Sequence, residues 1–205
     1  MRSSKLSDVT VAADPFHGMK PKIGVMGSCG GQISERARTK ARALGESIAR
    51  SGCVLITGAG PGLPHEAVLG AKANDGTVVG ISPALSLSEH VARYESPHEG
   101  FDVIIYTGSG LMGREIENIR SSDIVIIVGG RSGTLGEFAI AYDEGKLIGV
   151  LLGTGGIADQ VELLERICDK DTGARVIYAD EPDELLDRLL SYYREVHCGR
   201  PSCFG

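Results

Sequence analysis

Short apolar runs alternate along this chain with longer segments of helical periodicity, and glycine closes most of the runs. The runs are Lys22 to Met26, Cys53 to Thr57, Thr77 to Ile81, Asp102 to Tyr106, Ile124 to Val128, Leu147 to Leu152 and Arg175 to Tyr178. They are β-branched and apolar on both faces, the pattern of strands buried on both sides. Helices are expected over 32–50, 63–74, 111–121, 134–144, 158–170 and from Pro182 to about Tyr193. Strand and helix in alternation specify a mostly parallel sheet with helices on both faces. Right-handed crossovers then gather the loops that follow the strands at one edge of the sheet. The glycine turns 27–31, 58–62, 107–110 and 129–133 all fall at that edge. Ligands of open sheets bind there, where the strand order reverses.

The pattern spans about 21–196 and reads as one domain. Residues 1–20 read as a flexible N-terminal arm and 197–205 as an irregular tail. The least regular internal stretch, 82–100, reads as a loop with one short helix, an excursion able to cover a site. Composition excludes several function classes. There is no tryptophan, the formal net charge is -6, and no long basic run occurs, so a nucleic-acid partner is not expected. No apolar run is long enough to cross a membrane, and the first 20 residues lack the apolar core of a signal peptide. A cytoplasmic location is the expectation. The five cysteines, among them Cys198 and Cys203 near the C-terminus, form neither a disulfide framework nor a zinc site by spacing, and no metal is expected.

One segment stands out chemically: Gly129 to Glu137, GGRSGTLGE, between the apolar run 124–128 and a helix. A strand, a glycine turn and a helix start present free backbone N–H groups and the positive end of a helix dipole to an anion. Gly130, Arg131, Ser132, Gly133 and Thr134 are the candidate phosphate contacts. Glu137, three residues after Thr134, has two readings. It is either half of a capping box with Thr134 as the cap, or an acid facing the ligand. Arg114, near the start of the preceding helix, opposes that helix's dipole and calls for a partner or an anion.

The other turns are less specific. GSCGG at 27–31 lacks the G-x-G-x-x-G spacing, and the second strand ends without an acid, which disfavours a nicotinamide cofactor. GAGPG at 58–62 has no following Gly-Lys-Ser/Thr and is not a P-loop. Ser28, Gly58, Gly60, Gly62, Thr107 and Gly108 remain candidates for the nucleotide site, and His65 for its border. A tight turn or close packing explains any one of these glycines equally well. Glu66 and Glu117 read as surface or helix-pairing residues.

The GTLGE segment, upstream Arg114, the DIVIIV strand and the GAGPGLP turn together resemble the LOG (Lonely Guy) family, over about Lys22 to Tyr193. The resemblance implies a Rossmann-like three-layer α/β sandwich, usually dimeric. It also implies cleavage of the N-glycosidic bond of nucleoside 5'-monophosphates to free base and ribose 5-phosphate, without metal or cofactor. Against the family signature PGGxGTxxE, Gly133, Thr134 and Glu137 match and Gly130 is retained. Gly129 replaces the proline and Arg131 the second glycine, while Glu115 stands where lysine follows the family's arginine. These departures resemble a divergent branch that is also similar to molybdenum cofactor carriers, which hold a phosphate-bearing pterin uncleaved. The expected partner is a small phosphorylated ligand, a nucleoside monophosphate, in a homo-oligomer with Arg114 and Glu137 catalytic. Two alternatives stay open at this stage: a non-catalytic carrier, and a scaffold built on the alanine-rich helices.

Overall fold

The structure is a computed structural model that describes residues 18–198. The expected N-terminal arm falls almost wholly outside that range, as do Cys203 and most of the expected tail.

Among the described residues seven strands form one sheet: β1 (Lys22–Gly27), β2 (Val54–Thr57), β3 (Thr77–Ser82), β4 (Val103–Tyr106), β5 (Ile124–Val128), β6 (Leu147–Leu151) and β7 (Arg175–Ala179). Their spatial order is β4-β3-β2-β1-β5-β6-β7, and every pairing is parallel. The helices are α1 (Glu35–Arg50), α2 (Leu63–Lys72), α3 (Leu87–Ala92), α4 (Gly110–Arg120), α5 (Ser132–Asp143), α6 (Val161–Cys168) and α7 (Pro182–Tyr192). The expected Rossmann-like α/β architecture is what the chain adopts, with the sheet parallel throughout.

The side-chain period of two decides the layering. In β5, Ile124, Ile126 and Val128 face a core closed by Leu44 and Ile48 of α1, Val68 of α2 and Leu185 and Leu189 of α7. Val125 and Ile127 face the opposite core, closed by Ile119 of α4, Phe138 and Ala141 of α5 and Val161 of α6. All five β5 residues are fully buried, and each such aliphatic side chain contributes roughly 1.5–3 kcal/mol to folding. β4 lies at the sheet edge and leaves Val103 and Ile105 half exposed.

Local chemistry sets the helix ends. Ser34 Oγ accepts from Ala37 N at 3.2 Å and caps α1, with Glu35 in its first turn and Arg50 in its last. Proline opens α7 at Pro182 and stands in the first turn of α2 at Pro64, where no N–H is required. α1 and α2 meet backbone to backbone. A Cβ at Gly45 would stand 1.9 Å from Ala67 O, and one at Gly70 would stand 1.9 Å from Arg42 O. Glu66 then bridges the two helices through Arg38 (3.2 Å) and Arg42 (2.7 Å), which is the helix-pairing role expected of it.

The chain enters at the sheet centre, moves outward to β4, and returns beside β1 as β5. The strand order therefore reverses between β1 and β5, which run in register from Ile23↔Ile124 to Gly27↔Val128. The turns after these two strands emerge side by side, with the turn after β2 next to them. The turn after β4 emerges three strands away. The 82–100 excursion contains α3 and is fastened to β3: His90 is fully buried, with Nδ1 2.9 Å from Ser82 Oγ and Nε2 3.0 Å from Pro97 O.

Candidate functional site

Two glycines shape the turn after β5. Gly129 has φ +60° and Gly130 φ +111°, backbone regions that L side chains rarely enter. Proline, whose ring fixes φ near about −65°, cannot take the conformation of Gly129, so the departure from the family signature at 129 belongs to the backbone path itself. Arg131 is different: at φ −129° and ψ −150° it is extended, and any L residue fits. Gly129 N donates to Thr154 Oγ1 at 2.8 Å, and Gly130 N donates to Ser28 Oγ at 2.6 Å. The turns after β1 and β5 are thus joined by a hydrogen bond across 102 residues of sequence.

α5 begins at Ser132, two residues earlier than expected, with Arg131 as its N-cap and no side-chain cap bond. The capping box is therefore not formed. Thr134 is the third helical residue, and the Glu137 carboxylate makes no capping hydrogen bond to the helix start. The backbone N–H groups of Arg131, Ser132, Gly133 and Thr134 donate to no acceptor among the described residues. They open onto a cavity of about 450 Å³ at the switch point between β1 and β5. That volume suits a small ligand.

The cavity gathers Ser28, Gly58, Gly60, Arg131, Ser132, Gly133, Thr134, Arg114 and Glu137 from the sequence-based set. Gly130 and Gly62 do not line it. Gly130 lies behind the turn, where a Cβ would meet Thr134 Cβ at 2.5 Å, and Gly62 lets the 58–62 turn close to Ser28 O, where a Cβ would stand at 2.1 Å. Thr107 and Gly108 lie elsewhere. Thr107 Oγ1 donates to Ser82 O at 2.9 Å and sits 2.8 Å from Ser109 Oγ, at the far edge of the sheet. Ser109 in turn donates to Glu117 at 2.8 Å. His65 rests beside Phe101, ring centroids 6.2 Å apart, outside the cavity. Seven lining residues were not in the set: Val25, Met26 and Gly27 at the end of β1, and Cys29, Pro64, Leu111 and Glu115. Glu115 carried a sequence signal as an acid beside Arg114, and Gly27, Cys29 and Pro64 lie in or beside the glycine turns singled out in the sequence.

Arg114 is held with care. Its guanidinium occupies the space a Cβ at Gly58 would need, 1.8 Å from Nη1. With the Asn118 amide oriented to satisfy its neighbours, Oδ1 accepts from Arg114 Nη1 (3.3 Å) and Gly58 N (3.2 Å). Arg114 Nε is buried without a partner. Nη1 stands 3.8 Å from Glu137 Oε1, an ion pair too long for a hydrogen bond. Glu137 is only 7% exposed, and burial, with the Glu115 charge adding to it, pushes its carboxyl up to about 7 despite Arg114. Burial and the nearby Glu137 also raise the Cys29 thiol. Arg131 reaches across to the first turn, its Nη1 3.5 Å from where a Gly31 Cβ would stand.

A buried acid raised toward neutrality, an arginine within reach, and a row of unmet helix N–H groups give the cavity the donors and charges that an anionic small molecule would use. Gly58→Ala is expected to displace the Arg114 guanidinium and weaken phosphate-ligand binding about tenfold, with the fold intact. Calorimetry with ribose 5-phosphate checks this, and unchanged affinity would show that Arg114 does not contact the ligand.

Fold and cavity together define a Rossmann-like α/β domain with a small-ligand crevice at its switch point. The chain belongs to the SLOG cluster4 family, which it matches over residues 20–186. The family match agrees with the LOG-like branch indicated by the sequence. An uncharacterized protein of Archaeoglobus fulgidus is 36% identical over 130 residues, 63% of this chain and 79% of that protein. Two solved structures are also similar. The molybdenum cofactor binding protein of Rippkaea orientalis has 32% identity and a TM-score of 0.70 over 85% of this chain and 98% of its own. The molybdenum cofactor carrier protein of Chlamydomonas reinhardtii has 32% identity and a TM-score of 0.68 over 84% and 99%.

No helix among the described residues is long and apolar enough to cross a membrane. Among the same residues no cluster of His, Cys, Asp and Glu is arranged to hold a metal.

Proposed function

We propose that the protein hydrolyses the N-glycosidic bond of a nucleoside 5'-monophosphate, giving free base and ribose 5-phosphate. The observation that carries this reading is Glu137: buried, released from any capping role, and 3.8 Å from Arg114 across the cavity. The 5'-phosphate would accept from the N–H groups of Arg131 to Thr134, with the Arg131 guanidinium adding charge. Ser28 Oγ accepts from Gly130 N, which leaves its O–H free to donate to the ligand. Arg114 would orient the ribose phosphate. Ionised Glu137 would stabilise positive charge developing at C1' or take a proton from the attacking water. Water forms the new C1'–O bond, the C1'–N bond breaks, and the base leaves with a proton. The test is base release from AMP, CMP, GMP and N6-modified AMP. Release that Glu137→Ala abolishes supports the proposal, and no release above that control overturns it.

The 32% identity to a molybdenum cofactor binding protein and to a molybdenum cofactor carrier favours a second reading, in which the cavity holds a phosphorylated ligand without cleaving it. Copurified pterin, or ligand binding without turnover, selects that reading. In both readings the partner is a small molecule rather than nucleic acid, and the location cytoplasmic. Self-association belongs to the proposal as well: Leu111, Met112 and Ile116 of α4 and Val103 and Ile105 of β4 present apolar surface to solvent.

A further inference from the structure

Glu115 has no task in the mechanism above, yet the fold buries it in the same cavity. It is 6% exposed, and its Oε2 has no hydrogen-bond partner. It takes part in none of the ion pairs among the described residues, although Arg114 is its neighbour in sequence. A buried acceptor left unmet carries a desolvation penalty, so its partner is expected from outside the chain. Two glycines of α5 make room for the carboxyl. A Cβ at Gly133 would stand 3.4 Å from Oε1, and one at Gly136 would stand 3.2 Å from Oε2. The acid therefore lies against the first turn of α5, beside the N–H groups that face the cavity.

An anion on that turn and an acid against it repel unless the ligand places hydrogen-bond donors between them. Burial raises the Glu115 carboxyl. A hydroxyl can donate to its unmet oxygen and accept from a neighbouring helix N–H, so one group can bridge the acid and the turn. Two carboxyl oxygens also match two adjacent hydroxyls, the way an acid reads ribose in dinucleotide sites.

We propose that Glu115 is a ligand-reading residue that recognises hydroxyls next to the ligand's phosphate. The ligand is then a sugar phosphate with a free vicinal diol, ribose rather than 2-deoxyribose. This rests on the phosphate reading of the 129–134 turn. It differs from the role of Glu137, which acts at the bond that breaks.

The test is calorimetry of the whole protein with inorganic phosphate, ribose 5-phosphate and 2-deoxyribose 5-phosphate. None carries a base, so turnover does not intervene. The wild type is expected to bind ribose 5-phosphate about tenfold more tightly than the deoxy sugar. Glu115→Ala should bring that ratio close to one, with inorganic phosphate bound as well as before or better. Glu115→Gln keeps the volume and one acceptor oxygen, and should lower the ratio in part, which preserves the comparison if the alanine variant does not fold. Equal binding of the two sugars by the wild type, or a ratio that neither variant changes, overturns the inference and leaves the phosphate site standing. No binding of phosphate or of either sugar phosphate removes the phosphate reading and this inference with it.

Discussion

Glu137→Gln is expected to lower base release about a thousandfold, because it removes the carboxylate proposed to serve both the ribosyl charge and the water. The amide keeps the volume and polarity of the side chain, so ligand binding should change little and the loss should fall on kcat. The wild-type profile carries the same signature. The carboxyl titrates near 7 in the fold, and its working form is the ionised one. Activity should rise as pH passes through about 7, and a flat profile from pH 5 to 9 would remove Glu137 from the chemistry.

Stability should move in the opposite direction. Burial raises the Glu137 carboxyl from its ordinary 4.5 to about 7, so the folded state holds this proton more tightly than the unfolded chain does. The wild type therefore loses stability as pH rises from the unfolded value to the folded one, and the penalty is complete above about 7. Glu137→Gln carries no such penalty. At pH 8 the variant should be more stable by about 3 kcal/mol, with the difference largely gone by pH 5. A variant that is less active and more stable is the mark of a residue kept for function.

Gly45→Val is expected to produce the largest loss of stability. The branched side chain would have to displace Ala67 O, a backbone atom in the first turns of α2, which cannot rotate away. α1 and α2 must separate, and the reciprocal contact of Gly70 with Arg42 O breaks with them. A loss of about 3 kcal/mol or more follows, roughly 6–12 °C in Tm for a chain of this size. A melting temperature within a degree or two of the wild type would mean that the helices are not in backbone contact.

Neither helical glycine announces itself in the sequence, since an isolated glycine in a helix is ambiguous until its neighbour is known. The strands are another matter. Runs such as Ile124 to Val128 have no polar face, and only a doubly covered strand tolerates that. Element types were therefore legible throughout, with ends displaced by one to three residues, as at Ser132. Strand order was not legible. Four glycine turns at one edge look equivalent in a sequence, but β4 lies three strands from β1, and Thr107 and Gly108 went with it. The turns after β1, β2 and β5 stayed together because those strands are neighbours. The contact of Gly130 N with Ser28 was invisible for the same reason, and so was the unmet carboxyl of Glu115, whose partnerless state depends on what α5 lacks at Gly133 and Gly136.

The pairing of β1 with β5 governs how the chain can be made. Strands β1 to β4 emerge from the ribosome in spatial order, but one side of β1 stays unpaired until residue 128 has been synthesised. Up to that point an apolar central strand is open to any competing edge, and the nascent half is a target for aggregation or chaperone capture. Closing that gap also brings Ser28 to Gly130, so the ligand crevice and the continuous sheet come into existence in one event.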